Sequence, residues 1–481
     1  MKVLFASAEC APFFKTGGLG DVAGALPKEL VQKGVEISVV LPFFTKMSET
    51  YKNQCEELCD FYIEVGWRHQ YCGIKRLVLE EITYYFIDNR YYFDRDHLYG
   101  YQDDAERFAF YSLAIIEMLP KLEFRPDVIH VNDFHSAMVP FLLKEKYQEI
   151  DFYHSVKTML TIHNIEFQGS YSKELLPDLF NLELEHFYNG SIRLNDGINY
   201  LKAGIIYADL VTTVSPSYAK EIQTKAFGFG LDGILRLEKN KLSGVLNGID
   251  TQVYDPKTDE QLAYHFSISD LAGKKQNKQM LQQKMNLPLH PDVPLIGIVS
   301  RLTHTKGFHL LLEELARLLE KEVQIVLLGT GDPDIEHSFR SFATQYPHKL
   351  SANISFDVSL AQLIYAGADL FMMPSAAEPC GLSQMIAMRY GTLPIVHEVG
   401  GLKDTVVSFD PVTNSGTGFS FSTFDADSLL STTVTALNLY QNDQEVWTKM
   451  MKQGMAKDFS WKKSGQNYLE LYKQLLDTKE E

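Results

Sequence analysis

MKVLFASAECAPFFKTGGLGD at residues 1–21 and LIGIVSRLTHTKGF at residues 295–308 follow one plan. In each, a short apolar run ends at a loop carrying glycine and a basic residue, and a helix pattern follows. Strand, loop and helix in that order open a doubly wound α/β unit, whose ligands sit at the carboxyl ends of its strands. The alternation continues from both openings. Apolar runs at 3–7, 36–41, 128–131, 159–162 and 210–214 predict strands of a first sheet, and runs at 295–299, 324–328, 353–356, 370–373 and 393–396 predict those of a second. Helix-period segments such as 307–319 lie between them, and runs that are apolar throughout predict parallel sheets covered on both faces.

A chain of 481 residues with 45% hydrophobic content exceeds what one core organises, since cores stop growing near roughly 250 to 300 residues. The fold class is therefore α/β, with two doubly wound Rossmann-like domains facing each other across a cleft. NGIDTQVYDPK at 247–257 concentrates turn formers between the two patterns and sets the boundary, giving domains at 1–250 and 251–457. A formal charge of -17 repels phosphate backbones and anionic lipid, which argues against nucleic acid and membrane as partners. A neutral polymer is not repelled. The first residues fit a buried strand better than a signal peptide, and no run approaches the roughly 20 apolar residues of a membrane helix. Five cysteines without completed metal-ligand spacing fit a reduced, cytoplasmic setting.

Three loops carry chemistry. Lys15-Thr16-Gly17-Gly18-Leu19-Gly20-Asp21 follows the first strand, where glycines admit a ligand to the backbone, helix amides point at it and Lys15 adds charge, a combination suited to a diphosphate. Arg301 and Lys306 stand at the corresponding place in the second pattern. A guanidinium and an ammonium converging there suit a departing diphosphate. In Pro374-Ser375-Ala376-Ala377-Glu378-Pro379-Cys380-Gly381-Leu382-Ser383-Gln384, Glu378 can accept from sugar hydroxyls, and the amides from Cys380 through Ser383 can donate to hydroxyls or phosphate. Against each stands a plainer reading: a solvated lysine, ordinary surface charges, a carboxylate that merely caps a helix.

Other segments are decoys. GFGLDG at 228–233 spells a dinucleotide fingerprint, yet a helical stretch precedes it where a strand is required. Asp332-Pro333-Asp334 reads as a turn, and HVNDFH at 130–135 as residues lining a crevice at a strand end, not a metal site. The aromatic-rich stretch 84–111 reads mainly as core, with a carbohydrate surface as the alternative.

Taken together, ASAECAPFFKTGGLGDV, YGYQDDAERFAFY, PDVIHVNDFH, TIHNIEFQGSY, FGFGLDGIL, GVLNGIDTQVYDP, VSRLTHTKGF, EPCGLSQ, YGTLPIV, GGLKDTV and DFSW run nearly end to end. In this order they resemble the bacterial glycogen synthases of the starch synthase type. The resemblance implies a GT-B fold and a retaining glucosyltransferase that carries glucose from ADP-glucose to the non-reducing end of glycogen or another alpha-1,4-glucan, with no metal or other cofactor. By the family pattern Lys15 and Gly18, in the loop that runs to the candidate substrate-binding Asp21, contact the donor's phosphates, and Arg301 and Lys306 hold the leaving diphosphate. His163 lies near the glucose, Glu378 binds its hydroxyls beside the backbone of Cys380, Gly381 and Leu382, and Asp133 helps position and polarise. Asn247 falls near the sugar and Phe356 against the adenine, while residues 458–481 form a helix returning to the first domain. Ala376 and Ala377 replace the usual Arg and aromatic residue, Asn132 stands where His is frequent, and Ile386 stands where the wider superfamily has a second acid. The two alanines motivate a second reading, a non-catalytic glucan-binding homologue. A transferase with another donor or acceptor is a third.

Overall fold

The computed structural model describes residues 1–477. Contacts divide the chain into two compact units, Met1–Gly248 together with the segment from Trp461 onward, and Ile249–Ser460. In the first unit the strands are β1 (Lys2–Ala6), β2 (Glu36–Pro42), β3 (Glu56–Val65), β4 (Arg68–Leu79), β5 (Ile82–Asp88), β6 (Val128–Asn132), β7 (Lys157–Ile162), β8 (Ser170–Ser172), β9 (Arg193–Leu194), β10 (Gly197–Asn199), β11 (Leu210–Thr213) and β12 (Leu242–Gly244). Nine of them form one sheet in the order β12-β11-β7-β6-β1-β2-β5-β4-β3, and β8-β10-β9 form a small separate one. The second unit holds β13 (Leu295–Val299), β14 (Gln324–Leu328), β15 (Leu350–Asn353), β16 (Leu370–Met373), β17 (Leu393–His397) and β18 (Phe419–Phe421) in the order β15-β14-β13-β16-β17-β18.

Both sheets follow from the apolar runs. Val3, Leu4, Phe5 and Ala6 are fully buried, as are Ile325, Val326 and Leu327, so these strands have no solvent face and pair in parallel beneath helices. The helix Phe308–Leu319 shows the complementary logic, burying Phe308, Leu311, Leu315 and Leu318 on one stripe. At about 1.5 to 3 kcal/mol for each large apolar side chain removed from water, that stripe is what fixes the helix to its sheet. The helix Trp461–Asp477 likewise buries Trp461, Tyr468 and Tyr472, and the Tyr472 hydroxyl lies 2.6 Å from His130 Nδ1.

Two expectations need correction. The first sheet is mixed, because near its end β4 runs antiparallel to both its neighbours, β5 and β3. The strand expected at 353–356 is instead Leu350–Asn353: Asp357 accepts from the Leu360 amide to cap the next helix, which forces the chain out of the sheet before Phe356. The aromatic stretch 84–111, by contrast, is largely core as its main reading had it, with Tyr84, Phe86, Tyr92, Phe93, Phe108 and Tyr111 fully buried.

Candidate active site

In the first unit β1 lies between β2 and β6, so successive connections leave it to opposite sides and open a crevice at the carboxyl ends of β1 and β6. Out of β1 comes the glycine loop, and the residue that shapes it is one sequence reasoning passed over. Glu9 is buried, and its carboxylate accepts from the Thr16 amide at 2.6 Å, the Thr16 hydroxyl at 2.6 Å, the Gly17 amide at 3.2 Å and the Tyr99 hydroxyl. A buried carboxylate is tolerated only when its lone pairs are filled in this way. The loop then enters the helix Gly18–Gln32, with open space beside both Gly17 and Gly18 where a side chain would otherwise project. Lys15 pairs with Asp21 at 2.6 Å, and both side chains are about half exposed at 50% and 40%. The only sequence signal for Glu9 was its position, an acidic residue ending an apolar run just ahead of a glycine loop.

Out of β6 comes Asp133, held at φ +53°, with the His163 amide donating to its Oδ1 at 2.7 Å. Burial pushes its carboxyl up to about 7, partly offset by the backbone amides of His163 and Asn164 and reinforced by the Glu9 carboxylate. His163 follows β7. Asn132 fixes its tautomer, because Asn132 Nδ2 donates to the Ala6 carbonyl and so presents Oδ1 to His163 Nε2 at 2.8 Å. His163 Nε2 therefore carries the proton and Nδ1 is an acceptor. Burial lowers the ring's pKa to about 3, which keeps it neutral. Asn247 is buried, and its Oδ1 has no hydrogen-bond partner among the described residues. A groove of about 490 Å³ in the same unit is lined by Phe134, Phe167, Gln168, Tyr171 and Phe229, neighbours of Asp133 and His163 in the chain or across the loop.

The second unit has the strand order 3-2-1-4-5-6 of dinucleotide-binding sheets, with the direction reversing between β13 and β16. Loop 300–307 leaves β13 and loop 374–383 leaves β16, and the two meet. The Ala376 amide donates to the Thr305 carbonyl at 2.9 Å. Gly307 sits at φ +76°, and a Cβ there would lie 1.8 Å from the Pro374 carbonyl oxygen, so only glycine allows the approach. The result brings Lys306 Nζ to 2.6 Å from Glu378 Oε2, to which the Ser375 hydroxyl also donates at 3.1 Å. Arg301 is exposed, and among the described residues its guanidinium has neither a hydrogen bond nor an ion pair.

The loop after Glu378 is braced from behind. Gln384 donates to the carbonyls of Cys380 and Gly381, His397 Nδ1 lies 2.8 Å from the Ser375 carbonyl, and the Gly401 amide donates to the Glu378 carbonyl at 3.1 Å. Cys380 is buried, Leu382 and Ser383 are partly so, and the Tyr365 hydroxyl donates to Ser383 Oγ at 3.0 Å. Phe356 stands 90% exposed beyond β15, free to receive a planar group. Ile386 is buried in the helix Ser383–Arg389, where an acid would have no water.

The decoys resolve as well. GFGLDG follows the helix Pro216–Glu221, and Asp332 precedes Pro333 at the start of the helix Pro333–Gln345. Among the described residues no three His, Cys, Asp or Glu side chains gather as a metal site.

Similarities to known proteins agree with this arrangement. Residues 2–237 match the family described as starch synthase catalytic domain, and residues 280–453 match glycosyl transferases group 1. The glycogen synthase of Streptococcus pneumoniae (strain JJA) is 56% identical over 99% of this chain and 100% of its own. That of Lactococcus lactis subsp. lactis (strain IL1403) is 58% identical over the same shares. The catalytic domain of Starch Synthase IV from Arabidopsis thaliana, solved with ADP and acarbose, superposes with a TM-score of 0.91 at 35% identity over 99% of both chains. Sucrose-phosphate synthase from Thermosynechococcus elongatus, at a TM-score of 0.62 and 17% identity, shares the fold.

Proposed function

The chain belongs to the starch synthase family of glycosyltransferases, and we propose that it lengthens an alpha-1,4-glucan of the glycogen type by transferring glucose from ADP-glucose to the non-reducing end with retention of configuration. The observation that carries this reading is the meeting of Lys306 and Glu378 at the reversal point of the second sheet, on a loop that also carries an Arg301 whose guanidinium has no partner among the described residues. An unpaired guanidinium and a half-buried ammonium suit the charge that grows on a nucleoside diphosphate as the glycosidic bond breaks. Glu378, already committed to Lys306, offers its remaining lone pairs to sugar hydroxyls. Phe356 offers a ring to the adenine.

The first unit supplies groups for the sugar. His163 is neutral, with Nδ1 ready to accept a hydroxyl proton; the Asn247 carbonyl oxygen awaits a donor; Lys15 and Gly18 present a cation and an open backbone. The groove beside Phe167 and Phe229 suits an incoming glucan end. We assign front-face displacement: the diphosphate departs from the face the acceptor hydroxyl approaches, and its own oxygen takes the acceptor proton. The tautomer of His163 and the raised pKa of Asp133 fit positioning roles, not covalent attack. We also propose a cytoplasmic setting, supported by five free cysteines. No helix among the described residues is long and apolar enough to cross a membrane.

Incubation with glycogen and labelled ADP-glucose tests the reading. Label entering the polymer, and label released by enzymes that remove non-reducing ends, is the expected result. Glucan binding with no incorporation overturns it in favour of the non-catalytic homologue, and preferential incorporation from UDP-glucose overturns the choice of donor.

A further inference from the structure

Of the exposed aromatic side chains of the first unit, Tyr62, Trp67 and Tyr71 share the β3–β4 hairpin, whereas Tyr91, Phe167, Tyr188 and Phe229 stand elsewhere. From Cys59 to Val65, beyond an irregularity between Glu57 and Cys59, β3 pairs with β4 in regular alternation. Phe61, Ile63 and Val65 pair with Cys72, Gln70 and Arg68, and Ile63, Val65 and Cys72 are buried. The opposite face presents Asp60, Tyr62 and Glu64 across from Gly73, Tyr71 and His69. Tyr62 is 57% exposed and Tyr71 43%, so part of each ring is open to solvent. Their centroids lie 6.3 Å apart, and the His69 ring is 4.7 Å from Tyr62. Tyr71 leans along the strand over Gly73, where a Cβ would meet its hydroxyl at 2.6 Å. Burial first, then the carboxylates of Asp88 and Asp60, raise the Tyr71 pKa, so the phenol keeps its proton and donates. At the hairpin tip Trp67 is 79% exposed, its Nε1 donating to Asp178 Oδ1 at 3.2 Å and its ring covered by the Arg68 guanidinium at 4.7 Å.

We infer that this hairpin face is a second glucan-binding surface, which holds a chain of the polymer by stacking sugar rings on Tyr62 and Tyr71 while Asp60, Glu64 and the Tyr71 phenol bond its hydroxyls. The face combines apolar ring area with carboxylate acceptors, the pairing that a neutral polyhydroxyl chain needs and that an anionic ligand does not tolerate. Charge complementarity selects the occupant. A second copy would bring Asp60 and Glu64 against their own equivalents in a protein of net charge -17, and an anionic polymer meets the same repulsion. The surface lies apart from the groups assigned to the reaction: β4 and β3 are three and four strand-to-strand steps from β1, which leads to Lys15 and Gly18, and five and six from β7, which leads to His163, at the usual ~4.8 Å a step. Binding here raises the local concentration of chain ends without adding to the chemistry. The inference rests on the glucan-synthase reading only for the identity of the sugar polymer.

The test uses the full chain and glycogen itself. In gels containing glycogen, Tyr62→Ala/Tyr71→Ala is expected to lose about tenfold in affinity, and its KM for glycogen to rise by a similar factor. Its kcat, and its KM for a short malto-oligosaccharide that cannot span to the hairpin, are expected to stay unchanged, while Tyr62→Phe/Tyr71→Phe keeps most of the binding. Tyr62→Thr, which preserves strand propensity at the sheet edge, replaces the double variant if that fails to fold and is expected to lose about threefold. Unchanged retention on glycogen by a folded alanine variant overturns the surface. So does a fall in molecular mass on sedimentation with glycogen affinity intact, which identifies the face as an interface between copies. Incorporation from ADP-glucose onto the short acceptor reports on the proposed function separately, so failure of one is not mistaken for failure of the other.

Discussion

The two units present charged loops at corresponding places, yet the loops are built in opposite ways. In the first, a single buried carboxylate, Glu9, gathers the loop from within, taking the amides of Thr16 and Gly17 that an anion could otherwise use. In the second, two loops from neighbouring strands lean on each other, with Lys306 on Glu378 and the Arg301 guanidinium on no other described residue. The comparison teaches that similar motifs divide labour. A loop whose amides and lysine are already engaged shapes a binding surface, whereas a loop with an unspent guanidinium can respond to charge that appears during reaction.

Substitutions can break or sharpen that contrast. The largest effect is expected from Lys306→Ala, which removes a cation and leaves the Glu378 carboxylate without its ion-pair partner. Turnover should fall about 100- to 1,000-fold, or roughly 2.7 to 4 kcal/mol, with little change in glucan KM, as read by steady-state kinetics at saturating glycogen. Next comes Glu9→Gln. An amide cannot accept all four bonds, and hydrogen bonds to a charged group contribute about 1.5 to 3 kcal/mol each, so kcat/KM for the donor should drop roughly 10- to 100-fold. Melting of the purified variant should move downward with it; unchanged kinetics at a lowered melting temperature would make Glu9 purely architectural. The smallest effect is expected from Lys15→Ala. Its pair with Asp21 is half exposed, where such pairs contribute about 0.2 to 1 kcal/mol, so donor KM should rise no more than about fivefold with kcat nearly constant. A loss in turnover matching that of Lys306→Ala would erase the distinction between the units.

The parts of the fold legible in the sequence were those whose physics is local. Strands at Leu295–Val299, Gln324–Leu328 and Leu370–Met373 are buried on both faces, so unbroken apolar runs marked their ends. The β3–β4 hairpin was invisible for the reverse reason: one face is wet, and its tyrosines, glutamates and glycine spell no continuous run. β15 was displaced because Ile354 and Phe356 look like strand residues until Asp357 is seen to cap a helix. Of the candidate site, glycine, lysine and arginine at strand ends were readable, since the strand order makes residues after β13 and β16 neighbours although Lys306 and Glu378 are 72 positions apart. The role of Glu9 was not, because a single acid after an apolar run looks like a strand terminator. The tautomer of His163 was not either, since it depends on the Ala6 carbonyl, two strands away in the sheet but far away in the chain.

The division of labour is tested most directly by measuring Arg301→Ala twice, once for ADP affinity by calorimetry and once for turnover of ADP-glucose at saturating glycogen. Because the guanidinium has no partner among the described residues to leave behind, its removal reports on the ligand. The account predicts a loss of about 100-fold or more in kcat against a loss of about tenfold or less in ADP binding, the signature of an interaction that strengthens as charge develops. Near-normal kcat with the whole loss in ADP affinity and donor KM would contradict it and reduce Arg301 to uniform binding of the nucleotide.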